Sequence, residues 1–195
     1  MGHLTSFTGT DTIPAIELLE RYYGVDSDKE LIGGSVSATE HSVMCMGTIE
    51  DEIGTFRRLI CEVYPKGIVS IVSDTWDLWK VCTEYLPALK ETILNRDGKV
   101  VIRPDSGDPV KIICGNPEGK TEAERKGVVE LLWDVFGGTI TDKGFKLLDQ
   151  HIGAIYGDSI NIDRATRICE GLKAKGFATQ VVFGIGSYTY QYNTR

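Results

Sequence analysis

Short apolar runs alternate along this chain with longer stretches whose apolar residues recur at helical spacing. The runs are Ile68-Val69-Ser70-Ile71-Val72, Val100-Val101-Ile102, Gly153-Ala154-Ile155-Tyr156 and Gln180-Val181-Val182-Phe183. Runs this short and this uniformly apolar read as strands buried on both faces. Between them lie helical stripes: Ile49, Ile53, Phe56, Leu59, Ile60 and Val63; then Leu78, Val81, Cys82, Tyr85 and Leu86; then Val128, Leu131, Leu132 and Val135; then Ala165, Ile168, Cys169 and Leu172. The alternation predicts βα units and a mostly parallel sheet. Ahead of it, Asp11 or Thr12 before Pro14 reads as a helix start and Gly24 as its stop. Gly33 to Ser42 reads as a short polar strand or loop, and polar residues 115–127 as a surface excursion. With no linker and no fixed-period repeat, residues 1–195 read as a single α/β domain.

Each strand run ends in a polar loop. The loops carry Ser73/Asp74/Asp77, Arg103/Asp105/Asp108, Gly157/Asp158 and Gly184/Gly186/Ser187. In parallel α/β folds the strand C-termini point one way, so such loops share a face, and ligands bind there. Any one of them could be a helix cap or a tight turn. Four in succession, one with an arginine beside its carboxylates, predict a shared functional face. An Arg and an Asp two residues apart can hold phosphate oxygens beside a metal-bound or hydroxylated group. Gly184-x-Gly186-Ser187 can offer backbone N–H groups to a phosphate. The acidic loops suit Mg²⁺ or sugar hydroxyls. Asp11 reads either as a helix cap or as a site carboxylate, and Asp108 as the cap of the next helix.

Composition narrows the field. The 195 residues are 42% apolar, enough to bury a core. A net charge of −7 with scattered basic residues gives no electrostatic footprint for nucleic acid or an anionic membrane. No apolar run approaches the roughly 20 residues that span a bilayer, and the first residues lack the plan of a secretory signal. Cys45, Cys61, Cys82, Cys114 and Cys169 are dispersed and form no Cys-x-x-Cys pair. They point away from zinc and disulfides and toward a reduced, cytoplasmic setting. A closed barrel needs about 250 residues and eight strands; the chain offers five or six strand candidates and no helix after the last. It is therefore expected to be a partial (β/α) barrel, a portion of a larger barrel-like domain whose open last strand is covered by another chain.

The motifs, taken together, resemble a known family. They are Phe7-Thr8-Gly9-Thr10-Asp11-Thr12, Ala38-Thr39-Glu40-His41-Ser42, Val72-Ser73-Asp74-Thr75-Trp76-Asp77, Ile102-Arg103-Pro104-Asp105-Ser106-Gly107-Asp108-Pro109, Tyr156-Gly157-Asp158-Ser159-Ile160-Asn161-Ile162-Asp163 and Phe183-Gly184-Ile185-Gly186-Ser187. In this order they resemble the nicotinamide phosphoribosyltransferases, the bacterial and phage-type branch in particular. The resemblance implies a type II phosphoribosyltransferase-like α/β fold. It implies synthesis of nicotinamide mononucleotide from nicotinamide and phosphoribosyl pyrophosphate in NAD salvage. Mg²⁺, ATP as an energy-coupling co-substrate and a homodimer come with it.

By the same resemblance, Asp11 accepts a hydrogen bond from the nicotinamide amide, a choice that repels the carboxylate of nicotinic acid. His41 is the histidine phosphorylated in ATP coupling. Arg103 packs on the pyridine ring, and Asp105 lies by the reacting C1 of the ribose, with Asp77 as its partner toward metal and pyrophosphate. Asp77 and Asp105 are thus the metal candidates. Ser73 lines the substrate site, Gly157 and Asp158 bind ribose hydroxyls, Gly186 and Ser187 the 5′-phosphate, and Arg195 a phosphate. The family's N-terminal region, with its ring-stacking aromatic, lies outside this chain, as do basic residues beyond Arg195. Ser187 stands where many relatives have glycine. The alternatives are a nicotinate phosphoribosyltransferase and a piece that folds or self-associates without turnover.

Overall fold

In a computed structural model, residues 9–186 are described, and they divide into two compact units, the sequence boundary falling between Val36 and Ser37. The first contains helix α1, Ile13–Tyr23. Thr12, not Asp11, occupies its N-cap position, Pro14 lies in the first turn, and Gly24 ends it with φ 67°. Asp11 stands exposed in the bend before Thr12.

In the second unit the strands among the described residues are Ser37–Ala38 (β1), Lys66–Val72 (β2), Asp97–Arg103 (β3), Gly138–Ile140 (β4), Lys146–Leu148 (β5), Ile152–Tyr156 (β6) and Val181–Phe183 (β7). Five of them form one parallel sheet in the order β1-β2-β3-β6-β7. The register explains the apolar runs: Val69 pairs with Val100, Val100 with Ile152, Ile71 with Ile102, Ile102 with Ala154 and Ala154 with Val181. All of these side chains are buried. The fold is α/β, as the alternation predicts, and the described strands close no barrel.

The helices after α1 are His41–Cys45 (α2), Glu52–Arg58 (α3), Leu78–Lys80 (α4), Leu86–Leu94 (α5), Pro109–Cys114 (α6), Glu122–Lys126 (α7), Val128–Phe136 (α8) and Ile162–Ala174 (α9). Leu59–Val63 extends α3, and Val81–Tyr85 joins α4 to α5, each as a wider π-helical turn. The first predicted stripe is too long at both ends. Ile49 precedes the helix and is exposed, as is Val63 in the π turn, while Phe56, Leu59 and Ile60 are buried. Within 115–127 the structure adds α7, closed by a reciprocal capping box between Thr121 and Glu124. It also adds the antiparallel β4–β5 hairpin, which the apolar pattern does not reveal.

Arg96 anchors the start of the sheet. Its guanidinium donates to the carbonyls of Ile60 (2.7 Å), Tyr64, Lys66 (3.2 Å) and Gly67 (3.0 Å). One side chain thereby satisfies carbonyls at the end of a helix and the beginning of β2. With β2 fixed there and paired with β3 through Val72↔Arg103, the loops at the opposite ends of both strands start from defined positions.

Candidate active site

Arg103 is the last residue of β3, and its guanidinium spans two loops. Nε lies 3.3 Å from Asp105 Oδ1 and Nη2 3.4 Å from Asp105 Oδ2. Nη1 donates to the Thr39 carbonyl at 3.3 Å and to Glu40 Oε1 at 3.1 Å. A planar guanidinium suits this two-point hold on a carboxylate. Thr39 is itself fixed, because its hydroxyl accepts the Val72 N–H at 3.0 Å. Thr39 and Glu40 follow β1, so Arg103 fastens the loop after β1 to the loop after β3.

His41 opens α2 and faces the same group. Its Nδ1 is 3.0 Å from Thr75 Oγ. Its Nε2 is 3.8 Å from Asp74 Oδ1 and equally 3.8 Å from Asp105 Oδ2, separations longer than a hydrogen bond. Asp74 Oδ2 accepts the backbone N–H groups of Asp105 (2.8 Å) and Ser106 (2.7 Å). The other Asp74 oxygen is buried and has no hydrogen-bond partner. Burial pushes the Asp105 carboxyl up from the usual range; the Arg103 guanidinium opposes this, Asp74 reinforces it and His41 opposes it again.

Glycines bring the remaining strand ends within reach. Gly157 follows β6 and donates its N–H to the Pro104 carbonyl at 2.9 Å. A Cβ there would meet Asp105 Oδ1 at 1.6 Å and Arg103 Nε at 2.6 Å. A Cβ on Gly184, after β7, would lie 2.2 Å from the Gly157 carbonyl. Gly186 has φ +54°, and a Cβ on it would reach 1.6 Å from Asp158 Oδ1. The other Asp158 oxygen accepts the Ser159 hydroxyl at 2.9 Å. Beneath the loops the Tyr156 hydroxyl donates to the Gly107 carbonyl at 2.9 Å. Burial first, then the carboxylates of Asp74 and Asp105, push that phenol up to about 12.

A polar cluster of this kind at the C-terminal edge of a parallel sheet is the usual ligand position of α/β folds. The profile of the nicotinate phosphoribosyltransferase (NAPRTase) family matches residues 1–195. The chain belongs to this family. It is similar to the nicotinamide phosphoribosyltransferase of Acinetobacter baylyi, 58% identical over 203 aligned positions that take in all of this chain and 40% of that protein. The proteins of the same name from Mycoplasma pneumoniae and Xanthomonas campestris are 41% and 34% identical, each over 97% of this chain. The chain spans about two-fifths of the length of these curated relatives (40%, 39% and 37%).

Of the residues singled out in this family member's sequence, the structure brings His41, Arg103, Asp105 and Gly157 into one cluster and places Asp158 against Gly186. Ser73 lies buried under it, its hydroxyl donating to the Ile71 carbonyl at 2.7 Å and its N–H to the Arg103 carbonyl at 3.0 Å. Asp77 caps α4, accepting from the N–H groups of Trp79 (3.0 Å) and Lys80 (3.1 Å). The groups its charge acts on include Glu52 and Cys82. The carboxylate that partners Asp105 here is Asp74. Asp108 caps α6, as its position before Pro109 predicts. Asp11 belongs to the first unit. Ser187 and Arg195 lie outside the described residues.

Asp74, placed by the sequence in the Ser73/Asp74/Asp77 loop, received no role of its own there, nor did its neighbour Thr75. A signal was present. In Ser73-Asp74-Thr75-Trp76-Asp77 the second aspartate directly precedes the helical stripe, so it is the natural cap and the first is left for other work. Among the described residues no group of three or more His, Cys, Asp or Glu side chains is arranged to hold a metal. Mg²⁺ commonly takes one or two carboxylates and completes its shell with water and substrate phosphate. The Asp105 carboxylate, 17% exposed and with Asp74 beside it, fits that limited demand. No helix of the described chain is long and apolar enough to cross a membrane.

Proposed function

We propose that this chain carries the transfer centre of a nicotinamide phosphoribosyltransferase. The observation that supports it most is the convergence of His41, Arg103 and Asp105 at the strand ends, in a chain 58% identical over its whole length to a protein of that name. The pyridine nitrogen of nicotinamide attacks C1 of the ribose of phosphoribosyl pyrophosphate. The C1–O bond breaks and its electron pair leaves with pyrophosphate, giving nicotinamide mononucleotide with no proton transferred. Positive charge that develops at C1 is stabilised by the Asp105 carboxylate, whose position the Arg103 fork fixes. Arg103 also orients the pyridine ring.

Asp11 is the proposed acceptor for the amide N–H, and it sets the preference for the amide over the acid. Gly157 and Asp158 serve the ribose, Gly186, Ser187 and Arg195 the phosphate, and Ser73 supports the substrate site from beneath. His41 is the proposed phosphoryl acceptor when ATP is coupled to the reaction. Asp105, with Asp74 beside it and Asp77 as the further candidate, would hold Mg²⁺, which supplies charge neutralisation to the leaving pyrophosphate. A cytoplasmic homodimer is the proposed working form, and the 195-residue piece alone is expected not to turn over.

The test is mononucleotide formation by the full-length protein with nicotinamide and with nicotinate in parallel. A higher kcat/KM for nicotinamide supports the proposal. Preference for nicotinate assigns the protein to the sister activity and defeats the role given to Asp11, and no product from either base defeats the transferase reading.

A further inference from the structure

We propose that Asp74 is a positioning residue of this centre, one oxygen fixing the Asp105–Ser106 backbone and the other orienting His41. Its effect on turnover rests on the phosphoribosyltransferase reading; its effect on the backbone does not. The alignment of β2 with β3 continues one residue past Val72↔Arg103, because Ser73 donates its N–H to the Arg103 carbonyl at 3.0 Å. Asp74 is thereby delivered beside the turn that Pro104 begins. Its Oδ2 accepts two successive backbone N–H groups, from Asp105 at 2.8 Å and Ser106 at 2.7 Å. Such charge-assisted bonds are about twice as strong as neutral ones. They set where the Asp105 side chain starts, and Arg103 then sets where it ends.

The other oxygen has a different task. The Asp74 side chain is only 7% exposed, and Oδ1 is buried with no hydrogen-bond partner, an expensive state for a carboxylate. His41 Nε2 faces it at 3.8 Å, and the neighbouring Thr75 hydroxyl meets the other ring nitrogen at 3.0 Å. One loop therefore faces both edges of the imidazole. The carboxylates of Asp74 and Asp105 both face Nε2, and the Thr75 hydroxyl meets Nδ1. Helix capping does not explain Asp74, since Asp77 performs it for α4.

The experiment uses the full-length protein with Asp74→Ala and Asp74→Asn. Amide hydrogen exchange is followed by mass spectrometry on peptides covering residues 104–108, and kcat and KM are measured for nicotinamide. Exchange at Asp105 and Ser106 is expected to quicken roughly ten- to hundredfold in the alanine variant. In the asparagine variant, whose amide oxygen still accepts but carries no charge, it should quicken roughly three- to tenfold. Both variants should lose kcat by roughly tenfold or more, with KM for nicotinamide within about threefold of wild type. The asparagine variant, equal in shape, decides the matter if the alanine variant does not fold. Wild-type exchange in either folded variant overturns the backbone role, and wild-type kcat in the asparagine variant overturns the His41 role. If the wild-type protein itself forms no mononucleotide, the transferase reading fails, while the exchange rates still decide whether Asp74 holds the loop.

Discussion

Gly157 lies so close to Asp105 that a Cβ added to it would stand 1.6 Å from the carboxylate oxygen Oδ1. The Arg103 Nε would be 2.6 Å away. The loop after β6 thus acts as a backbone wall against the Arg103–Asp105 pair, and only a residue without a side chain allows the approach. Gly157→Ala is expected to push the pair apart and cost about 1–3 kcal/mol, the range for overpacking. Urea unfolding of the full-length protein measures the stability. In parallel, mononucleotide formation should fall at least roughly tenfold, since displaced reacting groups are costly.

Arg103 and Glu40 form an ion pair at 3.1 Å, yet they are predicted to matter very unequally. The Glu40 side chain is 65% exposed, whereas that of Arg103 is 17% exposed and also holds Asp105 and the Thr39 carbonyl. Glu40→Gln should change stability by less than about 0.5 kcal/mol. Arg103→Lys keeps the charge but loses the fork, and is expected to cost about 1–2 kcal/mol and to raise KM for nicotinamide. Thermal unfolding and steady-state kinetics on the two variants make the comparison. Equal effects would mean that the exposed pair, not the fork, fixes Arg103.

Much of the frame that holds these residues was legible in the sequence. Val69 to Val72 and Val100 to Ile102 are buried on both faces, so apolar residues dominate them, with Ser70 the one polar exception, and the run survives as a signal. The Asp108 cap was legible because Pro109 marks the first turn of α6. The hairpin Gly138–Ile140 with Lys146–Leu148 was not, because its strands are three residues each, the first exposed throughout and the second half-buried, leaving no alternation to detect. The π-helical turns were equally hidden, since a stripe of apolar residues tolerates one extra residue per turn. Arg96 escaped notice for another reason. Its partners are four backbone carbonyls, and carbonyls leave no trace in residue identity.

That anchoring role gives a prediction separable from chemistry. Arg96→Met strips the donors from the carbonyls of Ile60, Tyr64, Lys66 and Gly67 and is expected to destabilise the full-length protein by about 2–4 kcal/mol. Arg96 precedes β3 and Arg103 ends it, a separation of about 20 Å along the strand. The folded variant should therefore keep its kcat, with the loss confined to the unfolding midpoint.

Glu52 supplies a pH test. The residue is 1% exposed, with Oε1 lacking a hydrogen-bond partner. Burial first, and then the Asp77 carboxylate, push it up from 4.5 to about 7, with Lys80 opposing. The folded state therefore holds this proton more tightly than the unfolded chain. The stabilisation is complete below 4.5 and is lost as pH rises through about 7. From pH 5 to pH 8 this group should cost the wild-type protein roughly 2–3 kcal/mol. Glu52→Gln should flatten that decline, and urea unfolding at the two pH values reads the difference. An unchanged slope would show that Glu52 is already ionised in the folded protein.

The Asp105 carboxylate, held by Arg103 and by the Asp74-bound backbone and facing His41, is the centre of the proposed chemistry. The most direct measurement is kcat for mononucleotide formation by the full-length Asp105→Asn protein, checked to unfold at the wild-type temperature. A fall of roughly a hundredfold or more, the usual loss when a group stabilising transition-state charge is removed, is predicted. A kcat within about threefold of wild type would contradict this role of Asp105 and place the transfer chemistry elsewhere.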